Sequence, residues 1–99
     1  MECRPFSMGQ LVGTPAALAV LTSGRIAEIL QRHLNFDWGT VGVSDWRAND
    51  LATLDGGRIF SAYWIDELDH EKGKVWVITT ATDDDGNRES TCVLTPACY

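Results

Sequence analysis

The feature that most constrains the fold is a change in hydrophobic period halfway along the chain. The second half contains three runs rich in β-branched and aromatic residues, bounded by turn-forming residues: 58–65, 74–81 and 89–95. The segments that connect them, 66–73 and 82–88, are shorter than the dozen or so residues that a parallel crossover needs. The three runs therefore predict an antiparallel meander.

The first half of the chain shows helical spacing instead. Thr14 followed by Pro15 is typical of an N-cap and the first helical position, and Gly24 indicates where this helix breaks. We predict a second helix that Ser23 caps. Its inward stripe consists of Ile26, Ile29, Leu30, His33 and Leu34.

A third helix is predicted to begin at Ser44-Asp45 and to end at Gly56-Gly57, while Leu11-Val12 forms a short extended piece before the first helix. The residues expected on its inward face are Ala48, Leu51, Ala52 and Leu54. A chain of 99 residues has room for one core. The sequence therefore predicts a single α+β domain over residues 1–99, with two or three N-terminal helices packed on one face of a three-stranded antiparallel meander.

The net charge of −6 limits the partners that such a domain can bind. Residues 36–99 hold twelve acidic and five basic side chains, so the negative potential belongs to the sheet half. A phosphate backbone or an anionic membrane surface would be repelled, and no apolar run reaches the roughly 18 residues that span a bilayer. We therefore expect neither direct nucleic-acid binding nor membrane association.

The three cysteines, Cys3, Cys92 and Cys98, bear on the cellular compartment. Their odd number and irregular spacing are untypical of a secreted domain held by disulfides, and Met1 to Gln10 lacks the basic and apolar blocks of a signal peptide. Reduced thiols in a cytoplasmic protein are the favoured interpretation. A zinc site and a Cys3–Cys98 disulfide are the alternatives.

Two acidic turns separate the predicted strands. The segment 83–87 resembles part of a calcium-binding loop with Gly86 at the sixth position, but Ala81 and Cys92 then fall where the first and last ligands belong. The other turn, at the opposite end of a meander, carries Asp66, Glu67 and Asp69. We predict no metal and no cofactor. Two solvated patches are the favoured interpretation, and a surface that imitates the phosphate spacing of a nucleic acid is the alternative.

The common catalytic templates are missing from the sequence. It contains no G-x-S-x-G elbow, no G-x4-G-K-[ST] loop and no H-E-x-x-H pair. His33 and Asp37 would suit a general base oriented by a carboxylate, but a histidine hydrogen-bonded within the fold is favoured. We predict no catalytic residue, and a non-enzymatic role is favoured over an enzymatic one.

The four tryptophans, Trp38, Trp46, Trp64 and Trp76, are dense for a chain of this length. Within the predicted strands, Trp64 and Trp76 alternate with apolar residues, so both faces of the sheet are apolar although the helices cover one. Termini and loops would cover the second face on one interpretation. On the other, it is an exposed aromatic surface for a partner or a second copy.

Several short motifs follow one another in a specific order: Gly9-Gln10, Thr14-Pro15, His33, Asp37-Trp38-Gly39, Asn49, Gly57-Arg58, Ser61-Ala62-Tyr63, Trp76-Val77-Ile78-Thr79, and Val93-Leu94 with Pro96 and Tyr99. Over nearly the whole chain this order resembles a family of small, largely uncharacterised bacterial proteins often encoded on plasmids, phages and integrated elements. The resemblance implies that genetic context and brings no established activity. The chain departs from the pattern at Thr80 and at Ala97-Cys98, where acids are expected, and in its longer turn over 82–88.

The polar residues that match the family pattern are His33, Asp37, Asn49, Arg58, Ser61 and Tyr63. They form either a pocket or a structural network. In the network, which we favour, Arg58 pairs with Asp37 and Asn49 bonds to loop backbone.

Together these features predict a small acidic accessory protein of a mobile element that acts by protein–protein binding. An inhibitor of a host defence complex, such as a CRISPR or restriction assembly that binds nucleic acid, fits the size, the charge and the context. The residues expected to contact the partner are Trp64, Trp76, Asp66, Glu67, Asp69, Asp83, Asp84 and Asp85. The alternatives are a small-molecule-binding module or small enzyme with a pocket at His33, Asp37, Arg58 and Tyr63, and a structural homodimer.

Overall fold

The computed structural model describes residues 6–98, without the side chain of residue 98. In chain order, the elements are β1 (Gln10–Gly13), α1 (Pro15–Val20), α2 (Ser23–Leu34), α3 (Val43–Asp55), β2 (Ile59–Trp64), β3 (Lys74–Thr79) and β4 (Ser90–Leu94). Single 3-10 turns lie at His70–Lys72 and Pro96–Cys98. None of the described helices combines the length and the apolar character needed to cross a membrane.

Side-chain caps define where the first two helices begin. Oγ1 of Thr14 accepts the N–H of Ala17 at 3.3 Å, and Pro15 occupies the first helical position, as predicted. Oγ1 of Thr22 accepts the N–H of Arg25 at 3.1 Å. The break between the helices therefore lies before Thr22, and the predicted break at Gly24 and cap at Ser23 were wrong because both residues belong to the first turn of α2.

The sheet has four strands in the order β1-β4-β3-β2. The pairs β2–β3 and β3–β4 are antiparallel, which confirms the meander, but β1 adds a fourth strand parallel to β4. The predicted three-stranded sheet was therefore incomplete. Parallel pairing joins segments that are far apart in sequence. Here the N–H of Gln10 donates to the carbonyl of Glu89 and the N–H of Thr14 donates to the carbonyl of Val93, both at 3.0 Å.

The helices cover one face of the sheet. Tyr63, Val75, Val77 and Val93 from the sheet meet Ile29 and α1 in one cluster of buried side chains. A second cluster forms where α3 and the segments before β1 and α3 meet: it contains Phe6, Met8, Trp38, Ala52 and Ile59. The inward stripe predicted for α2 is confirmed, since its five residues are buried or packed on these clusters.

The orientation of α3 differs from the prediction. Leu51 is 62% and Leu54 86% exposed, whereas Asn49 and Ala52 are buried. The helix is held by the amide of Asn49, whose Oδ1 accepts the N–H of Phe60 at 3.0 Å and whose Nδ2 donates to its carbonyl. Pairing a side-chain amide with strand backbone turns the polar residue inward, and two leucines consequently face outward. The end of the helix at Gly56, in a left-handed conformation, is as predicted.

Arg88 fastens α3 to the sheet from inside the fold. Its guanidinium donates to the carbonyl oxygens of Ala52 at 2.9 Å, Gly57 at 2.7 Å and Thr80 at 2.9 Å. The carbonyl of Ala52 belongs to the last turn of α3, where the helix dipole favours a cation, and it also accepts the N–H of Gly56 at 3.0 Å. Burial lowers the pKa of Arg88. The side chain thus acts as a cross-link between three segments.

We expect Arg88→Ala to lower the free energy of unfolding by about 2–4 kcal/mol, because it leaves carbonyls without a charged donor. Arg47→Ala is the matched control, since Arg47 is an exposed arginine of α3, and its effect is expected to be smaller. Urea unfolding at pH 7 measures both. Equal losses in the two variants would contradict the role assigned to Arg88.

Candidate functional site

A buried histidine connects α2 to three strands of the sheet. Nδ1 of His33 hydrogen bonds to Oγ of Ser61 at 2.5 Å, and Nε2 to Oγ1 of Thr79 at 2.8 Å. From Thr79 the chain of hydrogen bonds continues to Oγ1 of Thr91 at 2.7 Å and to the carbonyl of Met8 at 2.8 Å. We call these five residues the His33 chain.

The direction of each bond in the His33 chain follows from its last acceptor. The carbonyl of Met8 only accepts, so the hydroxyl of Thr91 donates to it and accepts from the hydroxyl of Thr79. Thr79 has then used its proton and accepts from Nε2–H of His33, which leaves Nδ1 to accept from Ser61. The network therefore selects one neutral tautomer of the imidazole.

The electrostatic surroundings of His33 agree with a neutral ring. Burial, reinforced by the charge of Arg88, lowers its pKa from 6.5 to about 4. The side chain is fully buried, between the edges of Phe6 and Trp38. A ring without solvent contact and with both nitrogens bonded cannot accept a proton from an external substrate.

Asp37 and Tyr63 form a second, separate group. The carboxylate of Asp37 receives Nε of Arg32 at 2.9 Å, which holds the pKa of Asp37 below its ordinary value. The buried hydroxyl of Tyr63 donates to the backbone carbonyl of Asp37 at 2.8 Å, and burial raises the pKa of this phenol. Arg32 lies over the Tyr63 ring, 4.9 Å from its centroid. The predicted partner Arg58 is exposed at the start of β2, and Arg32 takes the place assigned to it.

The polar residues singled out in the sequence therefore do not converge on one cavity. His33 and Ser61 share the His33 chain, Tyr63 and Asp37 contact Arg32, and Asn49 bonds to strand backbone rather than to the predicted loop. Every buried side-chain nitrogen and oxygen of the described residues has a hydrogen-bond partner. This geometry favours the structural interpretation of the set over a pocket.

The sheet face opposite the helices carries the predicted aromatic side chains. It is formed by Phe60, Trp64, Trp76, Ile78 and Cys92, all half-buried, and we call it the open face. Strand register places Phe60 beside Ile78 and Ile78 beside Cys92. The rings of Phe60 and Trp76 meet edge to face at 5.1 Å. These five side chains are partly covered, and the helices pack on the other face of the sheet. Both interpretations of this face therefore stay predictions.

Trp76 lies on β3, between β2 and β4, and Trp64 lies on the edge strand β2. The ring of Trp64 stacks on that of His70 with centroids 3.9 Å apart, and Nζ of Lys74 lies 4.7 Å from the Trp64 centroid. The neighbours of Trp76 across the strands are Ala62 and Leu94, which are both buried. Trp76 is therefore the better candidate for a partner contact on the open face.

The acidic turn at 66–69 is largely engaged within the fold. Oε1 of Glu67 receives Arg25 at 3.0 Å and Arg32 at 3.2 Å, and the carboxylate of Asp66 receives Lys72 at 3.1 Å. The hydrogen bond from Arg25 is the main cause that lowers the pKa of Glu67. The hydrogen bond from the backbone N–H of Leu68 is the main cause that lowers the pKa of Asp66. Their charges are compensated locally.

The turn at 83–85 has a different use for its acids. Oδ1 of Asp83 accepts the backbone N–H groups of Asp85 and Asn87, both at 2.9 Å, so this residue shapes the turn. Asp84 and Asp85 are exposed at its tip. The described residues include no group of three or more potential metal ligands. Cys3 and the side chain of Cys98, named in the alternative disulfide, lie outside what the structure describes.

Sequence reasoning missed three residues that organise these sites. Arg25 holds the carbonyl of Trp64 with Nε at 3.2 Å and a terminal nitrogen at 2.6 Å, and Arg32 and Arg88 act as described above. The sequence could have indicated these arginines in two ways. The chain has 8 basic against 14 acidic residues, so each arginine is expected to pair with a carboxylate. The carbonyl groups at the C-terminal end of a helix also favour a cation. Leu68, 97% exposed in the first turn, was missed as an apolar surface residue.

The histidine generates a prediction about pH. Its folded pKa lies below its unfolded value, so the unfolded chain binds more protons between pH 6.5 and about 4, and stability falls as pH falls through this window. The shift corresponds to about 3 kcal/mol. Because carboxylates also titrate in part of this pH range, the wild type is compared with His33→Gln. The free energy of unfolding of this variant should decrease less steeply between pH 7 and pH 4. Urea unfolding across this range tests it, and an unchanged slope in His33→Gln contradicts it.

Comparisons with protein-family models, curated proteins and solved structures found no match to this chain. The resemblance to the family of bacterial proteins encoded on plasmids, phages and integrated elements therefore stays a prediction.

Proposed function

We propose that this chain is a small acidic accessory protein of a mobile element that acts by binding another protein through the open face. The observation that carries the proposal is the accessible aromatic surface around Trp76, on a sheet face that the described helices leave uncovered. Aromatic side chains are enriched among the residues that dominate binding energies, because they bury a large rigid area. A cytoplasmic site of action is part of the proposal and is supported by the cysteine usage.

Charge favours a basic partner. Asp84 and Asp85 lie exposed in the turn between β3 and β4, at one end of the sheet, and the whole chain carries −6. An acidic tip accelerates encounter with a basic groove, of the kind that nucleic-acid-binding proteins present. We therefore propose a host defence complex that binds nucleic acid, a CRISPR or restriction assembly, as the target, and inhibition as the consequence of occupying its groove.

The small-molecule alternative has less support. The buried imidazole of His33 is neutral and out of contact with solvent, and Tyr63 is likewise buried. The charged residues that line a groove of about 480 Å³ beside Arg25 and Glu67 already pair with one another. Protein binding through the open face is the function that the geometry supports best.

The first prediction from this proposal concerns Trp76. Trp76→Ala is expected to speed dissociation from a purified CRISPR or restriction complex about 30-fold, corresponding to about 2 kcal/mol for a central aromatic contact. Trp64→Ala, at the edge of the same face, should have a smaller effect. Leu54→Ala is the matched control, because it removes an exposed apolar side chain from α3. Surface-based binding kinetics measure the rates, and urea unfolding verifies that the variants are folded.

Absence of binding to such complexes, together with unimpaired nucleic-acid cleavage in the presence of the chain, would rule out the proposed target. Equal losses in Trp76→Ala and Leu54→Ala would place the contact elsewhere than on the open face.

A second prediction separates steering from contact. Asp84→Asn with Asp85→Asn is expected to slow association and to flatten its dependence on salt, with little change in dissociation. Asp83 is left intact because it shapes the turn. The control is Asp69→Asn with Glu71→Gln, which removes two charges from the opposite turn. The same decrease in both double variants would show that net charge, rather than the tip at 84–85, sets the association rate.

A further inference from the structure

A surface without charge surrounds β1, on the side of the molecule away from β2. The sequence has no charged residue from Phe6 to Gly24, although the chain carries −6. Three large apolar side chains in this stretch, Leu11, Val12 and Leu18, are 40–53% exposed and line one groove. Scattered apolar residues are normal on a surface, but a contiguous group marks an interaction site.

The backbone of β1 presents an unpaired strand edge. Among the described strands β1 has β4 as its one neighbour. The N–H groups of Gln10 and Thr14 point to β4, and strand alternation therefore directs the N–H and C=O groups of Leu11 and Gly13 away from the sheet. Exposed edges are usually blunted by lysine, proline or a bulge, and the sequence Gln-Leu-Val-Gly contains none of these protections.

Beside this edge lies an apolar groove of about 290 Å³ between β1 and the first two helices. Gly13, Leu18 and Leu30 are among its lining residues. Register with β4 places Leu11 beside Thr91, whose hydroxyl joins the His33 chain under the helices, and places Val12 beside Cys92 on the open face. Leu11 and Gly13 therefore share the groove side of the strand.

We propose that a second copy of this chain pairs with β1 in antiparallel orientation, about a two-fold axis at Val12. The outward groups then match: Leu11 pairs with the partner's Gly13 through two hydrogen bonds, and the symmetry repeats this pair, which gives four bonds in total. The two sheets become one sheet of eight strands, since each copy contributes four. The inference is independent of the proposed function, which uses the open face.

The side chains in this arrangement are complementary to themselves. Residues directly opposite in an antiparallel pair share a face, so Leu11 lies across from the partner's Gly13. The side chain of Leu18 lies against this face of Gly13, so Leu11 meets the partner's Leu18 in an apolar contact. Val12 meets the partner's Val12 on the opposite face, in a pair without hydrogen bonds where side chains approach closely. A two-fold interface requires such self-complementarity, and a strand of arbitrary sequence would not supply it.

Charge also selects a second copy. Two chains of −6 repel each other over most of their surfaces, and the uncharged stretch 6–24 is where they approach at least cost. A basic partner would find no complementary charge there. Association should consequently strengthen when salt rises from about 0.05 M to about 0.5 M, because screening weakens the repulsion and leaves the apolar contact.

Sedimentation equilibrium of the purified chain tests the proposal. We expect a concentration-dependent shift from 10.9 kDa to twice this mass, strengthened by salt. Leu11→Lys and Val12→Lys should abolish the shift, because each places a charge in the paired edge. Leu54→Lys is the matched control, with the same change of charge at an exposed leucine on α3, and should dimerise slightly better than wild type. Unfolding curves verify that all three variants are folded.

A cross-link tests the register. Val12→Cys, in a Cys92→Ser background that removes the neighbouring thiol on β4, is expected to form a disulfide between chains, because Cα atoms in such a pair lie about 4.5 Å apart. Leu11→Cys in the same background should not, since it faces the partner's Gly13. Peptide mass spectrometry locates the bond.

Three outcomes would overturn the proposal. The first is that the wild-type chain stays monomeric up to about 1 mM, where even weak specific association is measurable. The second is that Leu54→Lys disrupts the dimer as strongly as the two edge variants do. The third is that Val12→Cys forms no disulfide between position 12 of one chain and position 12 of the other. A monomer whose edge binds an extended peptide of another protein would belong to the first of these outcomes.

Discussion

The fold depends on the neutral imidazole of His33. The buried ring joins α2 to β2 and β3, and through Thr91 the same series of hydrogen bonds reaches β4 and the carbonyl of Met8. Burying a polar chain of this length is favourable only when every donor finds an acceptor, because an unpaired group in the interior costs about 1–3 kcal/mol. The terminal carbonyl sets the order of all the protons, and helices and strands are consequently held in a single relative position.

Three arginines add further links between these elements. Arg25 and Arg32 on α2 hold the turn at Glu67, and Arg88 joins the end of α3 to the strands. Because each of these cations binds carboxylates or carbonyls of the fold, the acidic composition has two separate uses. The carboxylates near α2 stabilise the tertiary structure, whereas Asp84 and Asp85 remain exposed at the other end of the sheet. Net charge alone therefore overstates the acidity available to a partner.

The sheet offers two surfaces of different character. The open face around Trp76 is aromatic and has an acidic turn near one end, which suits a basic partner. The edge at β1 is uncharged and presents unpaired backbone, which suits another strand. An antiparallel pair at β1 would continue both the sheet and the open face across the two-fold axis. A target and a second copy would then be bound at the same time, on surfaces that do not compete.

The sequence by itself determined the elements that depend on near neighbours. Hydrophobic spacing predicted α2 and the meander, and the Thr14 cap and the Gly56 stop were found where local chemistry placed them. It did not determine β1, whose pairing with β4 joins residues about eighty positions apart. The sequence also predicted an ion pair between Asp37 and Arg58, whereas Asp37 pairs with Arg32. It predicted that Leu51 of α3 faces inward, whereas this side chain is exposed. Those features are set by contacts between segments that are distant in sequence. Several alternative pairings of such segments have comparable energies, and only the packed core with its hydrogen bonds selects one pairing.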